Sequence, residues 1–410
     1  MKYFSVLFII SVIVLISACN SSNAESDRFI SINVADNIGK GFIMNISDIA
    51  ESIEYIPLET NHSTVVGDIN NIWYKNGMFI FNTHRKSSGI LSIYDSIGKY
   101  YNTLNRFGRG PDEYSSVYSV DVYDRNLILL TGFSIKEYTP EGRLLRTIPL
   151  EKSDIPAGFL GVLKLGDNQY FLATLPGFKK DHIYSGIIVD SLGKTIITFP
   201  YPESEKKIDK KRKGTVAGGR PIFFSKEGVS KIITGNNEYI ISYNKDLQSI
   251  DTIYKINLGK YNITDQNFKP KEGHNNQIFL RVPILESENF IFLTLNLSTL
   301  AHKPIKIKTS SGNDALLKTS CALFDKRDNS FRLIDQPADY QIGFIDDIEG
   351  GPAFWPHYVS DDDYMVSYIN ASEFIRHAKT NKVSDKFKII ADGLEETDNP
   401  VILLVKLKSE

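Results

Sequence analysis

Four stretches of this 410-residue chain gather side chains that could do chemistry. Residues 106–114, RFGRGPDEY, set Arg106, Arg109, Asp112 and Glu113 in a loop built around two glycines and a proline. Gly108 and Gly110 open backbone angles that other residues resist, and Pro111 fixes the next step. Such a loop can offer Arg106 and Arg109 as bidentate donors to a carboxylate, a phosphate or a sugar hydroxyl, with Asp112 and Glu113 as acceptors. The same charges can also pair with each other and with loop backbone, locking two structural units together.

The second stretch, residues 350–357, concentrates aromatic side chains beside glycine and proline. Trp355 with His357 and Tyr358 could form a platform for sugar rings or peptide side chains, or could fill a wedge between packed sheets. The third, residues 206–213, holds six basic residues in eight positions. It reads as a contact for anionic headgroups or an acidic glycan, or as a solvated loop. The fourth comprises the acidic runs 346–349 and 361–363, whose oxygens suit Ca²⁺ in principle. Neither has a calcium-loop spacing, and both are expected as exposed turns.

Other chemistry finds no motif. The seven histidines are scattered, with no HExxH pair, and GxSxG elbows and Walker loops are absent. No cofactor or metal is therefore expected, although a site assembled from several strands would leave no linear spacing. Lys and Arg total 47 against 49 Asp and Glu, a balance that argues against a nucleic-acid partner.

The N-terminus carries an address. Lys2 precedes an apolar run, Val6 to Ile16, too short to span a bilayer comfortably, and the run ends in Ile16-Ser17-Ala18-Cys19. This resembles a bacterial lipobox, which implies cleavage before Cys19 and lipidation of its thiol. Residues 1–18 are thus expected as signal peptide, 19–48 as a lipidated cysteine and polar tether, and 49–410 as the folded domain. Asn20 after the cysteine favours the outer membrane, periplasmic or surface face. Cys321, the only other cysteine, is expected as a buried apolar residue without a disulfide partner.

The elements that must position these residues are short strands joined by glycine turns. Residues 69–104 read as four antiparallel strands, and the pattern returns over 120–148 and 162–199, with Gly98, Gly142 and Gly193 at matching turns about 44 and 51 residues apart. Three looser units follow, with an inserted segment at 304–318 and a helix around 372–379. The last unit lacks a strand, which the isolated segment Ile53 to Leu58 can supply by lying beside Val401 to Lys406. The expected fold is all-β: a six-bladed β-propeller of four-stranded antiparallel blades, its ring closed by an N-terminal strand paired with a C-terminal one. The loop 106–114 then joins the first two blades.

Residues 55–60 (YIPLET), 106–114, 251–255 (DTIYK), 258–261 (LGKY) and 398–401 (DNPV) together resemble the six-bladed β-propeller lipoproteins of Bacteroidetes, distant in sequence from the NHL-repeat propellers. That resemblance implies six blades and a lipid anchor, and no particular reaction. The expected role is an outer-membrane, lipid-anchored binding or interaction module, monomeric or part of an envelope complex, whose partner is a small molecule, glycan or peptide. A metal-dependent hydrolase or lyase with its site in the central channel, and a structural subunit of an envelope complex, are the alternatives.

Overall fold

The computed structural model describes residues 29–409 apart from 63, 84–88, 151–157, 167, 175–183, 201–221, 227–228, 234–237, 245–248, 265, 267–275 and 310. The signal segment, Cys19 and the basic run 206–213 lie outside the described residues.

Six antiparallel sheets form the blades of a propeller. Blade 1 comprises Ile69–Lys75, Met78–Thr83, Ile90–Asp95 and Tyr100–Leu104, and blade 2 Ser119–Tyr123, Asn126–Thr131, Ser134–Tyr138 and Leu144–Pro149. Blade 3 is Phe159–Lys164, Gln169–Thr174, Tyr184–Asp190 and Thr195–Pro200. Blade 4 is Ile222–Lys226, Val229–Ile233, Tyr239–Asn244 and Ser249–Asn257. Blade 5 is Phe279–Glu286, Phe290–Asn296, Thr319–Asp325 and Ser330–Ile334, with the inserted segment folded as a hairpin of Ile305–Lys308 and Asp314–Leu317. Blade 6 takes Tyr358–Val359, Tyr364–Ile369 and Val401–Leu407 from the C-terminal region and Ala50–Pro57 from the N-terminal one.

The expected closure is present in register: Val401 faces Pro57, Leu403 faces Tyr55 and Val405 faces Ile53. Where both faces of a blade are covered, as in blades 1 and 2, the second strand is an apolar run rather than an alternating pattern. Met78 to Phe81 and Leu127 to Leu130 are buried throughout. Six hydrophobic clusters sit between successive blades, one at each interface.

The repeated glycines have a shared cause. Gly98 and Gly193 each have φ +82, and a Cβ at either would collide with the carbonyl oxygen of Pro57 or Pro149, at the end of the preceding blade's outer strand. Gly142, φ +86, shares the left-handed angle, and its neighbours Leu104 and Arg106 lie at ordinary contact distance from where a Cβ would sit. At Gly98 and Gly193 the turn docks edge-on against its neighbour, and only a residue without a side chain reaches both the left-handed angle and the close approach.

The segment expected as tether joins the fold from residue 30 onward. Ile30–Asn33 pairs in parallel with Ser249–Asn257 at the edge of blade 4, and Gly41–Phe42 pairs in parallel with Ser330–Ile334 at the edge of blade 5. Ile32 and Val34 are fully buried there. These short additions cover sheet edges that would otherwise be open.

The anticipated helix is Ala371–Thr380 (α1), and a second, Asp385–Asp392 (α2), follows it, with the Ser384 hydroxyl capping the N–H of Phe387. Phe374 and Phe387 stack at 4.0 Å and enclose the Tyr55 ring. No helix among the described residues is long and apolar enough to cross a membrane.

Candidate functional site in the central channel

The innermost strands of the six blades surround a cavity of 690 Å³. Blade 1 contributes Asn71 and Trp73, blade 2 Tyr118 and Asp121, blade 4 Ser225, blade 5 Val282 and Glu286, and blade 6 His357. Asn71 is the cross-strand partner of Asn82, so two side-chain amides stand together on the wall. Tyr118 is 61% exposed. His357 holds its Nδ1 at 2.8 Å from Ser367 Oγ, and its ring lies 5.2 Å from that of Tyr368. Protein surrounds the imidazole closely enough that burial lowers its pKa, yet the residue stays accessible from the channel. It is therefore a neutral donor and acceptor at physiological pH.

Charge collects at the opposite end, where the inner strands finish. Lys75, the last residue of its strand, pairs with Asp361 at 2.5 Å and also meets the Tyr358 hydroxyl. Burial works against the Lys75 charge, but Tyr358 and Asp361 outweigh it and hold its pKa above the ordinary value. From blade 4, Lys226 donates to the Asp361 carbonyl and to Asp363 Oδ1, both at 2.8 Å. The turn after Val359 thus ties blade 6 to blade 1 on one side and to blade 4 across the channel. Glu286 is held by Lys231 and, at 3.1 Å, by Lys326.

Asp121 differs from these groups. It is 9% exposed, and its Oδ2 accepts the Lys164 backbone N–H at 2.8 Å. Burial raises its pKa, with the backbone hydrogen bonds and the Lys75 charge opposing that rise. Among the charged residues described on the channel wall, Lys75 and Glu286 have ion-pair partners, whereas the recorded hydrogen bonds of Asp121 are to backbone.

The loop 106–114 folds on itself and onto blade 2. Tyr114 is buried, its hydroxyl donating to Gly89 O at 2.9 Å, and its backbone pairs with Arg106 and Gly108. Glu113 accepts the Gly110 N–H at 2.7 Å, and Arg106 donates to Gly142 O at 3.2 Å. Lys136 and Tyr138 of blade 2 donate to the carbonyls of Pro111 and Asp112 at 2.7 and 3.0 Å. Arg109 and Asp112 are exposed.

Trp355 and His357 part company: Trp355 stacks on Phe344 at 5.5 Å within the core beside blades 5 and 6, whereas His357 lines the channel.

The expectation of exposed acidic turns holds at 361–363, a turn with Asp362 exposed, and is corrected at Asp346. Asp346 is 3% exposed and accepts the Tyr55 hydroxyl and the N–H groups of Ile348, Glu349 and Gly351, because the loop needs a buried acceptor to turn. Asp361 and Asp363 are the acceptors of the channel-end ion pairs. Among the described residues, no three His, Cys, Asp or Glu side chains gather as a metal-ligand group. Cys321 is buried as expected, and burial pushes its thiol pKa up.

The sequence reading missed Asn71, Asn82, Tyr118 and Asp121. Its available signals were two amides opening an apolar strand, Ile69-Asn-Asn-Ile72, and a single carboxylate inside another, Val120-Asp-Val122.

No curated protein matches the chain. Among solved structures, a protein of Bacteroides fragilis NCTC 9343 named as exported shares 15% identity, covering 93% of this chain and 100% of that one at a TM-score of 0.61. A member of the duf4221 family from Bacteroides vulgatus ATCC 8482 shares 12% identity over 88% of this chain and 98% of its own, at a TM-score of 0.49. At such identities the first likeness speaks for the fold alone. Residues 29–406, essentially all of the propeller with both its edge strands, match one family in sequence, and the chain belongs to it: the family described as Domain of unknown function (DUF4934).

Proposed function

We propose that the protein is a ligand-binding module of the bacterial envelope, held at the outer membrane by a lipid on Cys19, with its ligand seated in the central channel. The observation that carries the binding role is the channel itself. Its 690 Å³ lies within the roughly 300–1,000 Å³ of ordinary small-molecule sites, and it mixes apolar walls with amide, hydroxyl and imidazole groups. Ion pairs cross-link one end, so the ligand enters from the other. The Ile16-Ser-Ala-Cys19 sequence after an apolar run supports the tether.

Thermal-shift screening of defined oligosaccharides and peptides tests the channel, with Ser225→Trp as the blocking variant. Ser225 is an exposed channel-wall residue, so an indole there occupies channel volume without entering the core. Ligands should stabilise the wild type and lose that effect in Ser225→Trp; equal stabilisation of both removes the channel reading. For the tether, Cys19→Ala should move the protein from the membrane to the soluble fraction, and unchanged membrane association contradicts it.

A further inference from the structure

We infer that the ligand is a neutral carbohydrate chain, inserted end-on, with Tyr118 as its stacking platform, the Asn71–Asn82 pair and His357 as its hydroxyl partners, and Asp121 as the acceptor for its leading sugar. This rests on the channel reading above and adds the ligand's chemical class.

The argument starts from charge. Away from the ion-paired end, the described wall residues are amides, hydroxyls, aromatic rings and aliphatic side chains. Among the described wall residues, an anionic ligand meets no cation without a carboxylate partner, since Lys75 is already engaged by Asp361 and Tyr358. The carboxylates of Asp121 and Glu286 on the same wall repel it further. A large apolar ligand would leave the Asn71 and Asn82 amides without hydrogen bonds, which is costly for enclosed polar groups. A hydroxyl-rich neutral molecule satisfies both conditions.

The aromatic and carboxylate contributions fit the same class. A sugar ring presents C–H groups on its faces and hydroxyls around its rim, so it needs an accessible aromatic face and in-plane donors and acceptors. Tyr118 supplies the first, 61% exposed beside the channel-wall residues Val117 and Ser119. Asn71 and Asn82 supply both hydrogen-bonding roles, and His357, with Nδ1 fixed on Ser367, has Nε2 without a recorded partner among the described residues. Deeper in, Asp121 is nine-tenths buried on the channel wall, and its hydrogen bond from Lys164 N–H engages Oδ2. A carboxylate in that position accepts hydroxyl hydrogen bonds, which are stronger than neutral ones. Burial disfavours its charge, a penalty that hydroxyl donors would relieve.

The test uses the mature full-length protein in detergent on an array of neutral oligosaccharides, amino-sugar and uronic-acid oligosaccharides, and short peptides, followed by calorimetric titration of the strongest binder. Neutral oligosaccharides should be the hits. Tyr118→Ala and Asp121→Asn should each weaken them at least about tenfold, the scale of one lost stacking or charged hydrogen-bond contact. Leu192→Ser, on an exposed turn tip, should leave them unchanged. Both substitutions lie at accessible or wall positions, and retained melting temperatures separate lost contacts from lost folding. Hits restricted to peptides or charged glycans, an empty array, or neutral hits indifferent to Tyr118→Ala and Asp121→Asn each overturn the carbohydrate assignment. Peptide or charged hits that Ser225→Trp abolishes leave the channel reading standing, whereas hits of any class that Ser225→Trp spares overturn both.

Discussion

Gly98 approaches the carbonyl oxygen of Pro57 so closely that any side chain at Gly98 would collide with it, and Pro57 belongs to the N-terminal strand that closes the ring. The turn of the first blade therefore rests on the seam where the two ends of the chain meet. Gly98→Ala should destabilise the protein by more than about 2 kcal/mol, since a left-handed angle and a backbone clash are violated together. Gly132→Ala, at φ +51 with open space around the built Cβ, should cost only about 1 kcal/mol. Chemical denaturation of both variants checks the difference, and equal losses would show that docking contributes nothing.

Closure itself is testable at Val405, which is fully buried opposite Ile53. Val405→Asp places an unpaired carboxylate in the closing sheet and should cost about 3 kcal/mol or more. The expected signature is a lowered melting temperature together with association between molecules, because an opened ring exposes two sheet edges. A monomeric variant that melts like the wild type contradicts the closure account.

Two carboxylates should respond to pH in opposite directions. Burial pulls the Glu137 pKa up, but hydrogen bonds from Tyr170, Arg146 and Lys164 outweigh it and leave the group below its ordinary value. Its stabilisation is present above the unfolded-state pKa and is lost as pH falls through the folded one. Asp121 is raised instead, so its ionisation costs stability as pH rises from the unfolded pKa through the folded value. Glu137→Gln should therefore lower the melting temperature at pH 7 and converge with the wild type in acid. Asp121→Asn should match or exceed the wild type at pH 7 and lose the advantage in acid. Melting curves from pH 3 to about 8 decide between these signs and a common response.

The bond from Lys226 to Asp363 joins blades that are not neighbours in the ring. The Lys226 side chain is 9% exposed and that of Asp363 21%, so the pair is screened less than a surface contact. Lys226→Met should cost about 1–3 kcal/mol by removing a charged donor from the Asp361 carbonyl and from Asp363, whose Oδ1 keeps only the neutral Glu288 N–H at that atom. A double-mutant cycle with Asp363→Asn should give a coupling energy that shrinks in high salt; a coupling of zero would mean that the Lys226–Asp363 pair contributes nothing to holding the channel end.

What the sequence discloses depends on how local the cause is. The glycine turns of blades 1 and 3 are legible because Asp95 and Asp190 each bind the backbone N–H groups two and four residues on, within the turn itself. Ile53 to Leu58 was placed correctly because a ring with one strand missing has a single gap to fill. Residues 30–48 were not, although Ile30, Ile32 and Val34 alternate, since a four-residue parallel strand takes its stability from a partner more than 200 residues away. The Lys226–Asp363 bond is equally non-local. Trp355 and His357, two positions apart in one cluster, went to a core and to a channel wall, and nothing in their spacing separates those fates. The channel residues escaped notice because each is an ordinary polar side chain in its own strand, and only the ring brings them together.

The most direct measurement is a crystal structure of the protein soaked with the strongest binder from the screen. The account predicts ligand density inside the channel, against Tyr118 and within hydrogen-bonding distance of Asn71, His357 or Asp121. Density confined to the loop 106–114, to the outer blade edges or to the helices α1 and α2, with the channel filled only by solvent, would contradict it.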